Sequence, residues 1–138
     1  MKNKMEYISH PSPSDIDMLT QKINQETAEF GEARPFAFFI RDNGENIIAG
    51  ANGFVIYGTV YTDQLWVDPN YRNQGLARKL MDKVHELGKL EGCKVATIQT
   101  MSFQKAVTFY KNLGYVQDFK RYGYVDNSYC IFMRKELD

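Results

Sequence analysis

Hydrophobic positions along this chain change their spacing several times, and each change predicts an element. Met5 to Ile8 reads as a short strand, stopped by the turn signal Pro11-Ser12-Pro13. Ser14 then caps a helix running to about Phe30, with Asp15 and Asp17 in the first turn, where negative charge suits the helix dipole. Ile16, Leu19, Ile23 and Phe30 share its apolar face, and Gly31 ends it. Phe36 to Arg41 and Ile47 to Tyr57 are strand-like runs joined by Asp42-Asn43-Gly44-Glu45-Asn46, a hairpin signal. Gly50 and Gly53 inside the second run predict a bulge or a close backbone approach. A third run, Thr59 to Val67, stops at Asp68-Pro69.

The clearest helix spans 75–91. Leu76, Leu80, Val84, Leu87 and Leu90 recur every three or four residues, and charged side chains cover the other side. Val95 to Thr100 reads as a buried strand and Phe103 to Asn112 as a helix, with Gly114 as its left-handed C-cap. Tyr115 to Phe119 and Tyr129 to Arg134 supply two last strands around a Tyr-rich connection. The order β-α-β-β-β-α-β-α-β-β predicts one α/β domain over 1–138, with a mixed sheet covered by helices on both faces. The unit from Leu65 to Thr100 predicts a right-handed parallel crossover.

Composition narrows the function without naming it. The 138 residues suffice for one core, and 17 basic side chains balance 17 acidic ones. A neutral chain gives no electrostatic reason to expect nucleic acid or an anionic membrane as partner. No apolar run approaches the ~20 residues of a membrane span, and the start, Met1-Lys2-Asn3-Lys4-Met5-Glu6, does not resemble a signal peptide. The expectation is a cytoplasmic protein. Cys93 and Cys130 sit in apolar runs outside any CxxC or Cys/His cluster, so two reduced buried thiols are expected and a metal site is not. His10 and His85 are expected at the surface.

Candidate chemistry concentrates in Asp68-Pro69-Asn70-Tyr71-Arg72-Asn73-Gln74-Gly75-Leu76-Ala77, between a strand and a helix N-terminus. The first N–H groups of a helix have no intrahelical partners and sit at the positive end of its dipole, which makes an anion site. Gly75 permits close backbone approach, Asn73 tolerates a positive φ, and Arg72 and Arg78 add charge suited to a diphosphate. No GxxxxGK[ST] loop and no GxGxxG motif is present, which argues against the common nucleotide-binding folds. As a bare pattern, Arg72-x-x-Gly75-x-Ala77 is also compatible with an ordinary strand-to-helix turn.

The longer segment from Leu65 to Met81 resembles the acyl-CoA-binding motif of the GNAT (GCN5-related N-acetyltransferase) superfamily. Ala106 to Tyr115, with Phe109-Tyr110-x-x-x-Gly114-Tyr115, resembles that family's later helix. The resemblance covers about Phe36 to the C-terminus and implies the acyl-CoA N-acyltransferase fold, a central, mostly antiparallel mixed sheet with a parallel βαβ crossover. It also implies acetyl-CoA as cosubstrate without a metal, and transfer of the acetyl group to an amine of a small molecule or peptide. Backbone groups of Leu65, Trp66 and Val67 would meet the pantetheine arm, and Arg72, Asn73, Gln74, Gly75, Leu76 and Ala77 would wrap the pyrophosphate, with Arg78 beside them. Tyr110 would be the general acid for the CoA thiolate. Two departures stand out. Asn73 replaces a common glycine, and Phe103 replaces a cofactor-contacting asparagine, leaving Ser102 or Gln104 to substitute.

An acceptor amine must lose a proton, and Asp63, two residues before Leu65, is the first candidate base, with Glu26 and Glu29 behind it. The resemblance places the acceptor near Glu29, Glu32, Arg34, Tyr57, Tyr122 and Tyr124, which also read as ordinary surface residues. A GNAT-fold acyl-CoA sensor with little turnover is the alternative function. The aromatic C-terminal strands offer a surface for a homodimer, and a monomer is equally compatible.

Overall fold

A computed structural model describes residues 2–138. The elements run α1 (Pro13–Thr27), β1 (Ala33–Arg41), β2 (Ile47–Ile56), β3 (Thr59–Val67), α2 (Leu76–Leu90), β4 (Val95–Met101), α3 (Val107–Asn112), β5 (Val116–Tyr122) and β6 (Tyr129–Glu136), with short 3-10 turns between some of them. One six-stranded sheet has the order β1-β2-β3-β4-β6-β5. Its β3–β4 pair is parallel and the remaining pairs are antiparallel, so the mixed, mostly antiparallel sheet with a parallel crossover is present.

Several boundaries differ from the expectation. Residues Met5 to Ile8 form no strand, and Met5 and Tyr7 are almost fully exposed. No strand of the sheet pairs with this segment, and a short strand is not stable on its own. Helix α1 is capped by Ser12, which accepts from the Asp15 N–H at 3.2 Å, rather than by Ser14, and it ends at Thr27. The helix expected from Phe103 begins only at Val107, because Lys105 adopts a left-handed φ of 57° after a 3-10 turn.

The core lies between one sheet face and helices α2 and α3. Ala49, Ala51, Val55, Val60, Ala96, Ile98, Ile131 and Met133 supply the sheet side. Helix α1 buries no residue, so only α2 and α3 build a core layer. The buried positions of α2 are Leu80, Met81, Val84, His85 and Gly88, while Leu90 is 83% exposed. At 100° per residue the buried face is turned roughly a quarter-turn from the leucine stripe that the sequence displays. Gly88 explains the turn, since a Cβ there would lie 2.7 Å from Val60 Cγ1 and 2.9 Å from Leu137 Cδ1. The helix therefore approaches β3 on its glycine side.

His85, expected at the surface, is consequently buried. Its Nε2 lies 2.8 Å from the Tyr115 hydroxyl. Tyr115 in turn packs edge-on against Tyr110, with centroids 5.7 Å apart. A Schellman motif organises this contact at the end of α3. Gly114 (φ 99°) donates to Lys111 O, and Tyr115 N donates to Tyr110 O.

Two strands bear directly on function. Pairing between β2 and β3 shifts between Asn52↔Gln64 and Gly53↔Thr62, which leaves Asp63 as an extra residue in β3. Gly53 makes room for this bulge: a Cβ there would sit 1.8 Å from Tyr61 O. Thr62, whose buried hydroxyl has no partner among the described residues, is also the last β3 residue paired with β4.

Two stability predictions follow from these contacts. Burial, aided by Lys135 and Lys89 and opposed by Asp82, lowers the His85 pKa to about 4 from 6.5. The unfolded chain then binds a proton that the folded one refuses, so this stability is present above pH 6.5 and is lost as pH falls toward 4. Urea titrations should show roughly 2 kcal/mol lost between pH 7.5 and 5 from this group, and His85→Gln should remove that part of the slope. Separately, Gly53→Ala should destabilise the fold by about 3 kcal/mol through overpacking, read from the urea midpoint.

Candidate functional site

Parallel pairing of β3 with β4 runs from Thr59↔Val95 to Thr62↔Ile98 and then ends, although both strands continue. The bulge at Asp63 sits at that parting point. Beyond it, the β3 edge that faced β4 is free of its neighbour, so backbone N–H and C=O groups border an open cleft. The cleft has a volume of about 1030 Å³, at the large end of small-ligand sites.

Its walls come from four segments. From β3 come Asp63, Gln64, Leu65, Trp66 and Val67, and from β4 come Ile98, Gln99 and Thr100. The turn into α2 supplies Tyr71, Arg72, Asn73, Gly75, Leu76, Ala77 and Arg78. The approach to α3 supplies Gln104, Lys105 and Ala106, with Phe109, Tyr110 and Asn112 from the helix itself.

The turn is built from its sequence. Asp68 accepts from the Asn70 N–H at 2.8 Å and starts a 3-10 turn at Pro69. Arg72 Nε donates to Val67 O at 2.9 Å, which ties the turn back to the end of β3. Asn73 (φ 63°) and Gly75 (φ 80°) take the left-handed conformations that aim the chain into α2. No side chain caps α2, so its first N–H groups stay available at the cleft. Arg72, Arg78 and Lys105 form no ion pair among the described residues. An otherwise neutral chain thus gathers three cations and a helix N-terminus around one opening.

Tyr110 is 6% exposed, lines the cleft, and makes no protein hydrogen bond through its hydroxyl among the described residues. Burial pushes its pKa up to about 12, so the phenol is protonated at neutral pH. Asp63 is exposed on the bulge, and its Oδ1 accepts from the Tyr61 hydroxyl at 3.3 Å. Burial, followed by the Asp63 charge, raises the pKa of that Tyr61 hydroxyl.

The structure gathers most of the sequence-predicted residues and disperses others. Leu65, Trp66, Val67, Arg72, Asn73, Gly75, Leu76, Ala77, Arg78, Asp63 and Tyr110 share the cleft, whereas Gln74 is not among its walls. Ser102 and Phe103 lie outside it as well. Ser102 Oγ accepts from the Tyr129 N–H at 3.1 Å, and Phe103 is 59% exposed. Gln104 takes the inner position, accepting from Met101 N at 2.8 Å.

Glu29, Arg34 and Tyr57 lie away from the cleft. Tyr57 stands in the β2–β3 turn, eight residues before Leu65, or roughly 25 Å along the strand at 3.3 Å per residue. It donates to Thr27 Oγ1, Arg34 pairs with Glu91 at the far end of α2, and Glu29 follows α1 at the same end. These three line the end of the sheet opposite the cleft. Tyr122 is at the cleft end, paired with Tyr129 beside the terminus of β4, but outside the cleft walls. Lys105 was not anticipated. Its entry depends on a left-handed backbone that its residue type does not announce.

Among the described residues no three His, Cys, Asp or Glu side chains converge as a metal site, and no helix is long and apolar enough to cross a membrane. Cys93 and Cys130 are buried free thiols.

Comparison with known proteins agrees with this architecture. The chain is 34% identical over 67 residues to the thialysine N-epsilon-acetyltransferase of Sus scrofa, a match covering 44% of this chain and 39% of that protein. An acetyltransferase structure from Bacillus cereus ATCC 14579 superposes with a TM-score of 0.73 at 20% identity, over 96% of this chain and 98% of its own. A structure from Bacillus anthracis str. Ames, in complex with acetyl coenzyme A, superposes with a TM-score of 0.68 at 17% identity, over 80% and 68%. The profile of the acetyltransferase (GNAT) family matches residues 4–115, and the chain belongs to that family.

Proposed function

We propose that the protein is an N-acetyltransferase that moves the acetyl group of acetyl-CoA onto a primary amine of a small molecule or peptide. The observation that carries this reading is the fork in the sheet. It presents unpaired β3 backbone on one side, the uncapped α2 N-terminus at one end, and the Tyr110 hydroxyl within. The bound acetyl-CoA of the Bacillus anthracis neighbour and the amine-acetylating name of the pig relative support both halves of it.

In this reading the diphosphate lies against the α2 N-terminus, with Arg72, Arg78 and Lys105 supplying counter-charge. The pantetheine arm lies in the fork and takes the place of β4 as partner to the β3 backbone. A free backbone N–H near Leu65 donates to the thioester oxygen, which becomes an oxyanion when the amine attacks. The C–N bond forms, the tetrahedral intermediate collapses, and the C–S bond breaks. Asp63, directly or through water, takes the proton that the amine sheds.

Tyr110 has a narrower task than full proton transfer. A thiol ionises near 8.5, so moving a proton wholly from a phenol at about 12 is uphill. The hydroxyl donates a hydrogen bond to the departing sulfur, and solvent completes the protonation. A charge-assisted bond of this kind contributes about 1.5–3 kcal/mol.

Tyr110→Phe should therefore lower kcat about tenfold to a hundredfold while the acetyl-CoA Kd stays within about a factor of two. Unchanged kcat would remove Tyr110 from the chemistry. Wild-type protein should gain several degrees of Tm at saturating acetyl-CoA, and Gly75→Glu should abolish that gain by placing bulk and negative charge in the phosphate turn. A Tm gain in wild type with no thiol release from any amine in a panel would replace the enzyme by an acyl-CoA sensor.

A further inference from the structure

A second cavity, of about 150 Å³, lies on the face of the sheet away from helices α2 and α3. Tyr61, Thr97, Gln99 and Phe132 line it. Each alternates along its strand with buried residues of the helix side, which are Val60 and Thr62 on β3, Ile98 and Thr100 on β4, and Ile131 and Met133 on β6. Ile98 and Gln99 are walls of both this cavity and the large cleft. Tyr61, a wall of the small cavity, donates its hydroxyl proton at 3.3 Å to Asp63, a wall of the cleft. The two spaces therefore meet at the fork, one reaching toward the α2 N-terminus and the other toward the opposite face.

Two bulges turn carboxylates toward this passage. Asp63 is the extra residue of β3. On β5, pairing shifts between Gln117↔Met133 and Phe119↔Phe132, which leaves Asp118 as an extra residue there. An insertion breaks the alternation of side chains along a strand, and Asp118 and Phe119, neighbours in sequence, both line the small cavity. Neither Asp63 nor Asp118 forms an ion pair among the described residues, and no lysine or arginine among them is a wall of that cavity. On the same face Arg134 pairs with Glu136, and Arg121 lies over the rings of Phe119 and Phe132, 6.0 and 5.7 Å from their centroids.

Size and lining narrow what fits. A cavity of this volume equals about five waters at the ~30 Å³ each occupies in the liquid, and it holds a ligand of roughly six non-hydrogen atoms. Phe119 stacks on Phe132 at 4.3 Å, and with Tyr61 the pair gives the cavity aromatic walls. Aromatic rings beside one unpaired carboxylate favour a short alkyl chain that ends in a positive charge.

We propose that the accepted amine is a short unbranched diamine that enters the fork from the outer face through this cavity, with Asp118 as the residue that selects it. One nitrogen reaches the fork beside Asp63, gives up its proton there and is acetylated, the C–N bond forming as the C–S bond breaks. The other nitrogen stays protonated against Asp118, beside the Phe119 and Phe132 rings. Roughly six non-hydrogen atoms correspond to four carbons between two nitrogens. Acetylation of the first nitrogen rests on the acetyl-transfer reading; binding of the second does not.

Putrescine should bind the CoA-saturated protein, read by calorimetry, at least about tenfold more tightly than butylamine, and Asp118→Asn should erase that difference. In thiol-release assays with acetyl-CoA, the ratio of kcat/KM for the two amines should follow the same pattern. Asp118→Lys should invert the choice and take γ-aminobutyrate in preference to putrescine. Asp118 is exposed on β5, and far-ultraviolet circular dichroism checks that both variants fold. The wild-type comparison needs no variant. Equal binding of putrescine and butylamine, or no binding of putrescine, overturns the proposal, and so does tighter binding of γ-aminobutyrate, which would make Arg121 the anchor. A preference that persists in Asp118→Asn refutes Asp118 as the selector. Asp118-dependent binding without thiol release supports the site and overturns acetyl transfer instead, whereas equal thiol release from both amines upholds transfer and removes the site.

Discussion

The parting of β3 from β4 is the constraint on which the rest of the site depends. A continuous parallel pair would use its backbone groups in ladder bonds and leave no cleft. Pairing ends at Thr62↔Ile98, and the next residue is the extra one of the bulge. An inserted residue bends its strand and increases local twist, and here it turns β3 away from β4 while keeping it on β2. Gly53 enables this, since the Tyr61 carbonyl occupies the space a side chain would need. Local backbone chemistry on β2 thus opens a cleft on the other side of β3.

Much of this was legible in residue order. Val60 and Thr62 face the core at even positions, and Leu65 and Val67 do so at odd ones. That change of parity is the bulge written in side chains, and a glycine inside a strand, as at Gly53, itself signals a bulge or a close backbone approach. The turn into α2 was legible too, because Asp68, Asn73 and Gly75 each have few conformational alternatives. What escaped detection depends on partners distant in sequence. The buried face of α2 is set by Gly88 meeting Val60 and Leu137, so it includes His85 and excludes Leu90. No single-helix periodicity contains that information. Arg34 and Tyr57 likewise owe their place, at the end of the sheet away from the cleft, to sheet register, which order along the chain does not reveal.

Charge follows the same logic. With 17 positive and 17 negative side chains the chain has no net field to attract a polyanion. In the proposed function, recognition of the diphosphate therefore has to be local, and Arg72, Arg78 and Lys105 would supply it from three different backbone contexts. Arg72 also donates to the Val67 carbonyl, so it braces the turn in addition to its proposed role as counter-charge. Losing it would disturb the geometry of the N-terminal amides, which carry orientation as well as potential.

Tyr110 joins the core to the cleft. Its position follows from a helix ending in a Schellman motif, which brings Tyr115 against it, and Tyr115 is held in turn by His85 from α2. The same burial keeps the phenol protonated and the imidazole neutral. A more exposed tyrosine would be a stronger acid but a more mobile one, and water would compete for its hydroxyl. The arrangement sacrifices acidity for position. In the proposed reaction the leaving group is a thiolate, which departs readily, and there position would be the scarcer requirement. The helix whose uncapped N-terminus borders the cleft therefore also orients the hydroxyl, because His85 lies on that same helix, and the turn into α2 and the Tyr110 wall of the cleft are packed together.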